Sequence, residues 1–153
     1  MLLNVVDSFV SYASIVFIDF ATPMVVTGIG TSFVKGTMFD TNGPSKNCIP
    51  DHANDRIQVP LDGVYEVACA SSFGDGNNVT FDVAVFAGPI GATVETTVKF
   101  KRKLGNGGDV GVAMDRCHLA LNADDVVELY FKSDGTNKQA EVYKVGLYVR
   151  RIG

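Results

Sequence analysis

Only two histidines and three cysteines occur in the 153 residues, and charged residues make up just 20% of the chain. Each scarcity excludes something. His52 and His118 are the sole side chains suited to proton transfer near neutral pH, and neither lies beside a serine or cysteine elbow. No catalytic triad is supported, so the expectation is a protein that is not an enzyme. Asp51 and His52 read as a solvated loop, and His118 as a strand side chain. Cys48, Cys69 and Cys117 cannot all pair within one chain, and none has the spacing of a zinc site. They read as buried free thiols, which fits folding in a reducing cytoplasm.

Basic residues are missing from the start of the chain, with none before Lys35, so the charged head of a secretory signal is not visible. Asp7, Asp19 and Pro23 cut the longest apolar runs, leaving no segment of about 18 residues to cross a bilayer. A net charge of -4 and a pI near 5.0 argue against a nucleic-acid binder, which needs a basic surface. The glycines at 105, 107 and 108 do not open a helix after a strand and are no phosphate cradle. The Gly74-Asp75-Gly76-Asn77-Asn78 cluster lacks the carboxylate pattern of an EF-hand and reads as a turn. No metal or other cofactor is expected.

What the chain does have is apolar, β-branched sequence cut by turn residues. Hydrophobic residues reach 46%, more than a small monomer usually hides, so oligomerisation is the natural outlet. One domain of this length buries roughly 68–70% of its unfolded surface. Strands are expected over residues 14–20, 24–27, 64–73, 79–86, 93–103, 110–121, 126–131 and 141–150, about eight to ten in all, without a helical stretch. Residues 40–55, rich in Asp, Asn, Gly, Pro and Ser, read as a long connecting loop. Val79, Phe81, Val83 and Val85 should share one face, and the segments 64–73 and 79–86 should pair as a hairpin. In the last strand Tyr143, Val145, Leu147 and Val149 should point inward against Lys144, Tyr148 and Arg150.

The segment Val59-Pro60-Leu61-Asp62-Gly63-Val64-Tyr65-Glu66-Val67 reads as a turn from which an alternating strand leaves. It resembles the signature of C1q/TNF-like modules, many of them in bacteriophage virion proteins. Leu121-Asn122-Ala123-Asp124-Asp125-Val126-Val127-Glu128-Leu129 is similar to a second motif of that family, with Asp124 where glycine is common. The resemblance covers residues 14–153. It implies an all-β fold, a single antiparallel jelly-roll β-sandwich, and a homotrimer whose inner sheets meet around a threefold axis. On that reading residues 13–153 form the jelly-roll domain and residues 1–12 an apolar N-terminal arm.

Such an axis would absorb aromatics, and Tyr130, Tyr143 and Tyr148 are the candidates; they could equally line the core of one subunit. In the arm, Leu2, Leu3, Val5, Val6, Phe9 and Val10 need a surface to lie on, unless the arm is an ordinary first strand. Lys99, Lys101 and Lys103 would share one strand face, either as a solvated edge or as a contact with an acidic partner. The function these features suggest is a phage cement or decoration protein. It would bind the major capsid protein on the capsid exterior after assembly in the host cytoplasm, without nucleic acid or membrane. The alternative is a receptor-binding knob of a fibre or tail that holds a host glycan or protein with its loop tips, residues 40–55 and 105–109. A small virion hydrolase and a secreted C1q/TNF-like ligand are further readings.

Overall fold

The computed structural model describes residues 10–74, 78–106 and 109–153. Within them lie twelve strands: β1 (Tyr12–Ile18), β2 (Met24–Ile29), β3 (Val34–Lys35), β4 (Thr41–Asn42), β5 (Ile49–Asp51), β6 (Arg56–Gln58), β7 (Gly63–Gly74), β8 (Thr80–Gly88), β9 (Val94–Lys103), β10 (Gly111–Leu121), β11 (Val126–Ser133) and β12 (Lys138–Arg151). One helical turn, the 3-10 helix His52–Asn54, completes the list of elements. All strand pairs are antiparallel. The first sheet runs β10-β7-β12-β1-β4, with β2 continuing along β12 beyond β1; the second runs β5-β6-β11-β8-β9, with β3 also on β11.

Alternation builds the core. Ala13, Ile15 and Phe17 of β1, Tyr65, Val67 and Cys69 of β7, and Val145, Leu147 and Val149 of β12 point in from the first sheet. Phe81, Val83 and Val85 of β8 and Val127, Leu129 and Phe131 of β11 meet them from the second. Val79 is buried with Phe81, Val83 and Val85, as their spacing predicts. Phe73 and Phe81 meet edge to face across the layers at 5.6 Å between ring centroids.

Several expectations are corrected. Segments 64–73 and 79–86 are not a hairpin: β7 belongs to the first sheet and β8 to the second. Nor does the Pro60–Gly63 turn return the chain to its own sheet; it carries it from β6 in the second sheet to β7 in the first. Periodicity reports which residues face inward but not which sheet a strand joins, and in a jelly roll successive strands repeatedly change sheets. Residues 40–55 are not one long loop. They hold β4, β5 and the helical turn, with Asp51 Oδ1 capping Asn54 N–H at 3.2 Å. Tyr143 does not point inward with Val145: β12 shifts register between Val142 and Lys144, so Val142 takes the buried place and Tyr143 is half-buried. Cys48 and Cys69 are buried but Cys117 is exposed, because it lies on β10, the edge strand of its sheet.

Both quoted motifs meet at one end of the sandwich. Val59 N–H donates to Asp125 O and Asp124 N–H to Val59 O, both at 2.9 Å, and Asp62 Oδ1 accepts from Ala123 N–H at 2.6 Å. Thus the β6–β7 crossing is fastened to the β10–β11 crossing. Tyr65 is fully buried and its hydroxyl donates to Leu61 O at 2.8 Å, satisfying the one polar atom of a core aromatic. The C-terminus joins them: Val64 N–H donates to Gly153 O, and the Arg151 guanidinium donates to Asp62 O. A Cβ at Gly63 would stand 2.4 Å from Gly153 O, so only glycine fits the turn. Asp124, in the place where the family commonly has glycine, adopts φ 67°, a left-handed conformation that aspartate tolerates better than most residues.

Candidate interaction faces

Each sheet has one face turned away from the core, and the two faces differ in chemistry. On the first sheet, register sets three rows across β1, β12, β7 and β10. The central row is Val16, Gly146, Ala70 and Met114. Beside it lie Ser14, Tyr148, Ala68 and Arg116 on one side, and Ile18, Lys144, Ser72 and Val112 on the other. Small residues in the middle make a shallow apolar groove of about 180 Å³, lined by Val16, Ala70, Met114, Gly146 and Tyr148 among others. Gly146 keeps it open, since a Cβ there would meet only Val16, at 3.9 Å.

Large apolar side chains stand exposed around this groove: Met114 is 65% exposed, Val112 69% and Ile18 52%. A charged rim borders it, with Glu66 between Arg150 at 3.5 Å and Arg116 at 3.7 Å. Apolar centre and polar rim is the usual anatomy of a protein–protein interface. Full coverage of each large apolar side chain contributes about 1.5–3 kcal/mol.

The open face of the second sheet is charged and aromatic. Lys99, Lys101 and Lys103 do share it, opposite Ala84, Asp82 and Thr80 of β8. Two of them are paired: Lys99 with Glu95 at 2.9 Å and Lys101 with Asp82 at 3.4 Å. Tyr130 stacks on Phe86 with centroids 4.0 Å apart, and its hydroxyl lies 3.2 Å from Glu128 Oε2. Glu128 is nearly fully buried, yet its carboxylate is met by Lys35 Nζ and by Thr93 Oγ1 at 3.1 Å. A buried charge is tolerable when it is so paired.

The candidate tyrosines therefore do not share a surface. Tyr148 lies on the apolar face, Tyr130 on the charged one, and Tyr143 sits at the β12 bulge with its hydroxyl donating to Glu141 Oε2 at 2.7 Å. Sequence reasoning missed Val16, Ala70, Met114, Val112 and Gly146. For the first four the signal was present as apolar residues at successive positions of β1, β7 and β10, so that these strands carry apolar side chains toward both faces. Val10 is exposed, and its carbonyl accepts from Asn47 Nδ2 at 2.7 Å. Leu2, Leu3, Val5, Val6 and Phe9 lie outside the described residues, as do parts of the 74–78 cluster and the 105–109 loop. His118 faces out from β10 opposite Glu66, whereas His52 belongs to the helical turn, where its N–H donates to Asn42 Oδ1.

Burial governs the thiols. It pushes Cys48 up to about 11 and Cys69, which also faces the charge of Asp115, up to about 12. Both are inert at neutral pH. Asp55 is likewise raised by burial, although its carboxylate accepts from Phe39 N–H at 3.0 Å.

Comparison with solved structures identifies the architecture. A tumour necrosis factor of S. frugiperda, Eiger, superposes with a TM-score of 0.68 at 10% identity, over 94% of this chain and 94% of that one. The globular domain of zebrafish complement 1qA gives 0.61 at 14% identity, over 90% and 94%. Murine APRIL gives 0.61 at 9%, over 94% and 99%. The fold is the C1q/TNF-like jelly roll. No family model and no curated protein matches the sequence. At these identities the likeness is one of fold.

Proposed function

We propose that this C1q/TNF-like domain is a non-enzymatic assembly module, three copies of which pack through the open face of the first sheet. The observation that carries the reading is the row Val16, Gly146, Ala70 and Met114, apolar and flanked by exposed Ile18 and Val112 inside a charged rim. Closed cyclic symmetry suits such a patch, because one face repeated around an axis satisfies every copy. Of the three tyrosines, Tyr148 is the one that lies on this face.

The trimer would act as a cement protein on the exterior of a bacteriophage capsid. It would bind the major capsid protein across subunit joints and stabilise the shell by mass action. Residues 1–12 and the Lys99, Lys101, Lys103 row are its proposed contacts with the capsid or with a neighbouring subunit. Support comes from the acidic, compact domain, the apolar arm sequence and the resemblance to virion modules. Sedimentation of the purified protein, alone and with empty capsids, tests both steps. A trimer that co-sediments with capsids is expected. A monomer at micromolar concentration would sink the assembly reading, and a trimer that ignores capsids would sink the cement reading.

A further inference from the structure

The open face of the first sheet extends past the three rows already described. Toward the end where Tyr12 pairs with Arg150 it carries a charged row, Tyr12, Arg150, Glu66 and His118. Beyond that the face turns apolar again. Val10 stands two residues before Tyr12, and Ile152 two residues after Arg150, with its N–H donating to Val64 O at 2.8 Å; Val64 in turn pairs with Ala120. All four are exposed, Val10, Ile152 and Val64 by 40–46%, and Leu61 of the adjoining turn is exposed as well.

This end row borders the root of the N-terminal arm. The described residues begin at Val10, whose carbonyl accepts from Asn47 Nδ2 at 2.7 Å, and the carbonyl of the buried Ser11 accepts from Arg151 N–H at 2.8 Å. The root is thus held beside Ile152. Residues 1–9 carry Leu2, Leu3, Val5, Val6 and Phe9 against a single charged side chain, Asp7, and a segment this apolar gains by being covered. Nine residues reach at most about 30 Å. Crossing from β1 over β12 and β7 to β10 takes only about 14 Å at the usual strand spacing. The groove beside Gly146 is a poorer seat, roughly 20 Å further along the strands. The way there covers Arg150, Glu66 and Arg116, and taking those charges out of water is unfavourable.

We infer that residues 1–9 turn at the start of β1 and lie across the Val10, Ile152, Val64 and Ala120 row of their own subunit. Asp7 and Ser8, close to the root, are residue types that favour such a turn. The charged row separates this seat from the proposed subunit face, so the inference stands whether or not that face assembles. The outer side of the arm stays free for the capsid or subunit contact proposed for it.

Photo-cross-linking of the full chain, with benzoylphenylalanine in place of Val5, tests this. Cross-links are expected on Leu61, Val64, Ala120 or Ile152 of the same chain. Co-refolding with isotope-labelled chains separates the cases, since links within one chain give no hybrid masses. Ile152→Asp should lower the cross-linked fraction about fivefold, because a charge replaces part of the apolar seat. Val112→Asp, toward the opposite end of the same face, should leave it unchanged. Both side chains are exposed, so both variants should melt with the parent. Links to Val16 or Met114, to the lysines of β9, or between chains would overturn the inference. So would no link at all, or a yield in Ile152→Asp equal to that of the parent.

Discussion

The open faces of the two sheets are made by the same strand alternation, yet one is apolar and the other charged. On the first sheet Val16, Gly146, Ala70 and Met114 form the middle row. On the second, the rows across β9, β8 and β11 read Lys101, Asp82, Lys132 and Glu95, Phe86, Glu128. A solvated face needs charges that water can reach, and the second sheet has them, linked by ion pairs. On the first sheet the central row carries no charge, and Glu66 with Arg116 and Arg150 lies at its rim. The difference makes the first face, and not the second, suited to the proposed contact between subunits.

Substitutions can break this contrast, and the largest effect should come from beneath it. Leu147 points inward between Gly146 and Tyr148 and is fully buried. Leu147→Ala should cost about 2–5 kcal/mol in urea unfolding, because the cavity lies in the core that both sheets share. A loss below about 1 kcal/mol would mean the core is not packed as described. On the charged face, Lys35→Ala leaves the buried Glu128 carboxylate without its ammonium. A loss of about 1–3 kcal/mol is expected, with Lys35→Arg retaining part of it. On the apolar face, Met114→Glu changes an exposed side chain, so the folded subunit should lose no more than about 0.5 kcal/mol. Its sedimentation should nonetheless shift from trimer to monomer, a separation of assembly from folding that no core variant would give.

The thiols supply the smallest and most local test. Cys117 should react with a thiol reagent in the native protein at pH 8, while Cys48 and Cys69 should react only after denaturation. The sign of their linkage follows from burial. Folded values of about 11 and about 12 stand above the ordinary 9.0, so the folded state keeps its protons longer than the unfolded chain. Their contribution is fully present below pH 9 and is lost as the pH rises from 9 toward 11 for Cys48 and toward 12 for Cys69. Cys48→Ala/Cys69→Ala should flatten that alkaline decline in a series of urea titrations.

Much of the fold was legible because alternation is a local property. Val79, Phe81, Val83 and Val85 share a face in any register, and so do Lys99, Lys101 and Lys103. The Pro60-Leu61-Asp62-Gly63-Val64-Tyr65 turn was equally plain, since Gly63 and Tyr65 are types that such a turn demands. Its partner was not: Ala123, Asp124 and Arg151 reach it from far along the chain. The bulge that turns Tyr143 out of the core was hidden as well, because a register shift depends on the neighbouring strand β7.

By itself the sequence determined that this is an all-β domain, which residues share a face along most of its strands, and where most of its turns fall; the jelly roll was what the resemblance implied. Those follow from side-chain chemistry within a few residues. Only the tertiary structure decided which sheet each strand joins. That choice separates Tyr148 from Tyr130, sets Met114 beside Ala70 and Asp82 beside Lys101, and so makes one face apolar and the other charged. The reason is physical: a face is a sum over neighbouring strands, and strands that are neighbours in space here are seldom neighbours in sequence.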